Sequence, residues 1–176
     1  MSVLTDYTAE EQTLLLRSLR AAPIAISAAS LGRKTETVSE GFAAASYIME
    51  VREPYLGNAL IGSAQYAIER AAHTDQKFPD YVTMATAPGA EQAAFDTLAD
   101  VAKLLDAKTT PDEAAGYKHW LLDIAAKTTE AGKEGGNFMG WGAVPVNDEE
   151  RAALQKIAAT LGIEAPAAPP TPTTGA

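Results

Sequence analysis

Apolar residues recur along this chain at intervals of three and four, in segment after segment, and nowhere do they alternate with polar ones over a strand's length. A three-and-four spacing puts side chains on one stripe of a helix, whereas a half-buried strand needs a period of two. The pattern predicts an all-α protein, a single-domain bundle of about six helices. Hydrophobic residues make up 47% of the chain, yet only 7% of it is aromatic. Small side chains, alanine above all, must then fill much of the interior, which suits closely packed helices better than a β-sandwich.

Local signals mark where the helices start and stop. Thr8-Ala9-Glu10-Glu11 is a capping box, in which threonine and glutamate three positions apart satisfy each other's free amides. Leu15, Leu16, Leu19 and Ala22 follow at helical spacing, and Pro23 is expected to kink or break the helix because it lacks an amide donor and crowds the preceding turn. A polar connector over 32–36 leads to a second helix, expected to turn Phe42, Ala45, Ile48 and Met49 inward and to stop before Pro54. Pro54 suits the first turn of a third helix reaching about Ala72. Its small residues, Gly57, Ala59, Gly62, Ser63, Ala64 and Ala67, predict close packing at the centre. Residues 74–89 read as irregular.

A fourth helix carries Ala94, Phe95, Leu98, Val101, Ala102 and Leu105 on one side. Thr110 as cap and Pro111 at the first position open a fifth, which should bury Tyr117, Trp120, Leu121 and Ile124. Asn147 and Glu150 cap a last helix, with Leu154, Ile157, Ala158 and Leu161 as its apolar stripe and Gly162 at its end. Consecutive helices are expected to pair as hairpins, with Leu154, Ile157 and Leu161 set against Tyr117, Leu121 and Ile124. Residues 1–163 are thus expected to form the helical domain, and 164–176, rich in proline, alanine and threonine, an extended or disordered tail.

Charge and composition narrow the function. A formal charge of -9 and a pI near 4.7 repel nucleic acid and anionic membrane, and no basic cluster reverses this locally. Without cysteine there are no disulfides, thiolate metal sites or cysteine nucleophiles. The most apolar stretch, 14–31, is interrupted by Arg17, Arg20 and Pro23, so no membrane span is expected. The start of the chain lacks the basic and apolar regions of a secretory signal, and the expected location is the cytoplasm.

No catalytic constellation emerges. The loop over 132–142 holds Gly132, Gly135, Gly136, Gly140 and Gly142 interleaved with Phe138, Met139 and Trp141. It lacks the preceding strand and the Gly-Lys-Ser/Thr run of a phosphate cradle. His119 with Asp123, and Glu69 with His73, share helix faces, but the Glu-x-x-His motif of bundle metal sites is missing. No metal, cofactor or catalytic residue is therefore expected. Carboxylates at helix starts answer to the helix dipole. On one reading Phe138 and Trp141 plug the end of the bundle while the glycines allow the turns; on the other Phe138, Met139 and Trp141 are candidate partner-binding residues, because aromatic anchors dominate interfaces.

The run from helix through loop to valine, polar cap, acidic residue and helix, carried by Val146, Asn147, Glu150, Leu154, Ile157 and Leu161 and echoed by Val38, Ser39 and Ala45, resembles the tellurite-resistance TerB-like group of all-helical bacterial proteins. The resemblance covers the two helix–loop–helix units, 12–51 and 117–161. In that group an Asp-Gly pair and acidic residues can hold a cation. This chain has no Asp-Gly, so the metal site does not carry over. The expected function is a non-enzymatic accessory protein that presents its glycine and aromatic loop to a protein partner or to itself. The alternative, which the resemblance implies, is a stress-response protein binding a small ligand or metal ion.

Overall fold

A computed structural model describes residues 1–30, 34–50, 55–73, 80–131 and 148–165. Those residues form an all-α bundle of six long helices and one short one: α1 Ala9–Ser30, α2 Lys34–Met49, α3 Ala59–Ala72, α4 Tyr81–Ala85, α5 Ala90–Lys108, α6 Pro111–Ala131 and α7 Asp148–Leu161. Among the described residues there is no strand.

Helices α1 and α6 form the centre. The Tyr117 hydroxyl donates to the Leu15 carbonyl at 3.0 Å, tying their N-terminal halves together. Tyr117, Trp120, Leu121 and Ile124 on α6 are buried, and the Tyr117 and Trp120 rings meet edge to face at 5.5 Å, the arrangement ring quadrupoles favour. Around this pair, α5 packs most extensively on α1 and α2 on α6. The heaviest packing therefore joins helices distant in sequence, not consecutive hairpins. Helix α7 lies on α1 and α5 more than on α6, with Ile157 and Leu161 fully buried and Leu154 only partly so.

Several local expectations hold. Thr8 and Glu11 form the capping box, with bonds of 2.9 and 3.3 Å. The Thr110 hydroxyl accepts from the Glu113 amide at 3.4 Å and donates to its carboxylate at 2.9 Å. On α5 every residue of the expected inner stripe is buried. Gly162, at φ +69°, ends α7: its amide and that of Ile163 reach back to the carbonyls of Ala159 and Ala158, a Schellman ending that needs a left-handed residue.

Four expectations are corrected. Pro23 does not interrupt α1, which runs unbroken for 22 residues. Proline costs about 3 kcal/mol inside a helix, but burial of Leu15, Leu19, Ile24 and Ile26 on both sides of it is worth ~1.5–3 kcal/mol for each large side chain. Helix α3 begins after Asn58, whose side chain accepts from the amides of Leu60 and Ile61, and it lies at the periphery. A side chain at Gly62 would meet open space, and the residues it buries are Leu60, Ile61 and Ala64. The stretch read as irregular contains α4, capped by Asp80 through the Thr83 amide at 3.1 Å. The fourth correction concerns the face of α2.

Candidate interaction surface

Helix α2 was expected to bury Phe42, Ala45, Ile48 and Met49. Only Ile48 is buried. Phe42 is 76% exposed, Val38 58% and Met49 41%. The buried residues are instead Thr37, Glu40, Ala44, Tyr47 and Ile48. The face is turned because its polar members find partners inside. The Ser27 hydroxyl on α1 donates to the Glu40 carboxylate at 2.5 Å and lies 2.8 Å from the Tyr81 hydroxyl on α4. A Cβ at position 41 would sit 2.6 Å from the Tyr81 ring, so Gly41 is what lets α4 lie against α2. Tyr47 donates to Asp123 on α6 at 3.1 Å.

The outer face of α2 has an unusual composition. From 38 to 49 its exposed residues are Val38, Ser39, Phe42, Ala45, Ser46 and Met49. None is charged, in a protein where 21% of residues are. Val38, Phe42, Ala45 and Met49 follow one another at spacings of 4, 3 and 4, the narrow seam by which one helix packs along another.

At its C-terminal end this seam runs into a groove of about 280 Å³ whose lining includes Met49, Leu56, Ile61, Tyr66 and Trp120. Leu56 and Tyr66 are 60% and 61% exposed. The Gln65 side chain donates to the carbonyls of Ile48 and Glu50, at 2.8 and 3.2 Å, and so ties α3 to the end of α2. The charged residues among its described lining are Glu50 and Glu69. Beside the groove, Tyr55 donates to Asp123 at 2.5 Å. Burial pushes the Tyr55 phenol above its ordinary value, and its bond to the Asp123 carboxylate adds to the shift, so Tyr55 stays protonated and is no base at neutral pH.

Ser27 and Glu40 pair as a nucleophile and a base would, but both are 3% exposed and no substrate can reach them. A second hollow of about 220 Å³ near the start of α6 contains Lys118, whose charge is met by Asp106 at 2.6 Å. His73, at the C-terminal end of α3, and His119 are exposed. Among the described residues no three His, Asp or Glu side chains cluster as metal ligands, and no helix is long and apolar enough to cross a membrane.

Phe138, Met139 and Trp141, the partner-binding residues expected from the sequence, lie outside the described residues, as do the cap Asn147 and the tail from 166. The surface that sequence reasoning missed is Val38, Phe42 and Met49. Its signal was present as an apolar stripe on α2, but the stripe was assigned to the core. No family model, curated protein or solved structure matches the chain.

Proposed function

We propose that this chain is a cytoplasmic, non-enzymatic interaction protein that docks a protein partner on the outer face of α2 and the adjoining groove. The observation that carries this reading is the charge-free seam from Val38 to Met49, with Phe42 76% exposed at its centre. Large apolar side chains left in a contiguous patch on an otherwise charged protein mark a surface that another molecule covers. Aromatic anchors carry most of the energy in such contacts. The loop residues Phe138, Met139 and Trp141 belong to the same proposal as further apolar contacts for the partner.

Site-specific photocrosslinking in cells of the protein's own source tests it. A photoreactive residue at position 42 is expected to trap a discrete partner, and one at Asp100, on the charged face of α5, is not. The same products from both positions, or none from position 42, would sink the proposal. A third probe at position 141 asks whether the loop meets the same partner.

A further inference from the structure

The seam and the groove together say what kind of partner fits. The four seam residues span about 16 Å along α2, at 1.5 Å per residue. They form a two-in-seven stripe, the width that receives the ridge of one further helix and not a flat surface. Ala45, at the middle, has no side chain beyond Cβ and lets that helix approach closely. Met49 belongs to both the seam and the groove, so an occupant of one continues into the other.

Charge then selects among possible occupants. The seam is neutral, and the groove's described lining includes the exposed carboxylate of Glu69. A basic side chain entering the groove meets Glu69 at its rim and apolar walls for its methylene stem, the environment in which lysine and arginine pack well. The chain as a whole carries a net charge of -9, which draws a basic segment in and opposes a second copy of itself.

From this we infer that the occupant is an amphipathic helical segment of another protein, with an apolar stripe for the α2 seam and a lysine or arginine that seats in the groove beside Glu69. The inference rests on the docking reading above and specifies its partner.

Fluorescence anisotropy with two labelled helical peptides provides the test. Each is about 18 residues long, enough for an isolated helix to persist, with leucine and phenylalanine on the seam positions. One has lysine on the flanks, and the other has glutamate. The lysine peptide is expected to bind the full chain at least tenfold more tightly than the glutamate peptide. Phe42→Gln, which adds no charge, should weaken it about tenfold or more, as loss of an interface anchor does, and Glu69→Gln about threefold, as loss of a rim charge does. Circular dichroism confirms that both variants fold. Equal binding of the two peptides, still sensitive to Phe42→Gln, overturns the basic preference and leaves the docking surface standing. Binding that ignores Phe42→Gln removes the surface itself. A chain that sediments as a dimer, and becomes a monomer on Phe42→Gln, assigns the seam to a second copy and overturns the inference.

Discussion

Helices α5 and α2 each back onto one of the two central helices, α1 and α6, yet they sort their side chains by different rules. Helix α5 buries Ala94, Phe95, Leu98, Val101, Ala102 and Leu105 and exposes Asp96, Asp100, Lys103 and Asp106. Its charges are met on the surface itself, Asp100 by Lys103 at 3.0 Å and Asp96 by Gln92 at 2.7 Å. Helix α2 buries a carboxylate, a threonine and a tyrosine and exposes a phenylalanine, a valine and a methionine. Leaving Phe42 in water forgoes ~1.5–3 kcal/mol of burial. Turning it inward would pull Glu40 from Ser27 and Tyr47 from Asp123, and would break the fit of Gly41 against Tyr81. In α5 the apolar residues choose the face. In α2 the polar ones do, and the apolar stripe is left unburied.

The largest expected effect comes from the inner face of α5. Leu98 is fully buried, and Leu98→Ala should destabilise the protein by ~2–5 kcal/mol through lost burial and the cavity left behind. Urea unfolding measures this directly. A change no greater than that of an exposed residue would mean that α5 does not wall the core through this stripe, and the comparison would lose its reference.

Next in size is the inner face of α2. Glu40→Ala leaves the Ser27 hydroxyl without its acceptor in a buried setting, at a cost of ~1–3 kcal/mol. Glu40→Gln keeps an acceptor and should cost less. If alanine and glutamine are equally harmless, polar pairing is not what turns this face inward.

An acid titration extends the contrast to the start of α6. Burial by itself would raise the Glu113 carboxyl, but bonds from the Ser2 amide at 2.6 Å and the Thr110 hydroxyl at 2.9 Å outweigh it and hold the group below its ordinary value. A depressed folded value contributes stability that is present above the unfolded value of about 4.3 and lost as pH falls through the folded one. Glu113→Gln should therefore lower the unfolding midpoint at neutral pH and flatten its decline below about pH 4. An acid limb as steep as the wild type's would show that Glu113 contributes little to it.

What could be read in the sequence follows the same division. Capping is a local signal, so Thr8 with Glu11, the Thr110 cap and the Gly162 ending were all legible. So was α5, whose single apolar stripe admits one orientation. Helix α2 was not, because its orientation is decided by Ser27, Tyr81 and Asp123, brought to it from three other helices. Pro23 misled for a related reason: a local penalty was outweighed by burial on both sides. The small residues of α3 suggested a central helix, but a small side chain permits close approach without requiring it, and Gly62 faces open space. The candidate site was half legible. Its stripe, Phe42, Ala45 and Met49, stood out by spacing, while its exposure depended on contacts that no local pattern encodes.

The smallest expected effect is the most discriminating. Phe42→Gln replaces the largest exposed side chain on α2 by a polar, uncharged one with good helix propensity. If Phe42 packs on nothing within its own chain, the folded and unfolded states lose nearly the same apolar surface, and stability should stay within about 0.5 kcal/mol of wild type. The same substitution at a core phenylalanine would cost several times more, so Phe95→Gln on α5, where the ring is 5% exposed and lies 3.8 Å beneath the Lys156 ammonium, is the matched control. Urea midpoints for the two variants, read at the same pH and salt, place α2 and α5 on one scale. A Phe42 variant as damaged as the Phe95 variant would mean that the seam is already covered within the chain, and no surface would then remain there for a partner. A neutral Phe42 variant beside a strongly destabilised Phe95 variant confirms that Phe42 faces outward and Phe95 inward, and leaves the apolar stripe of α2 without a role in folding.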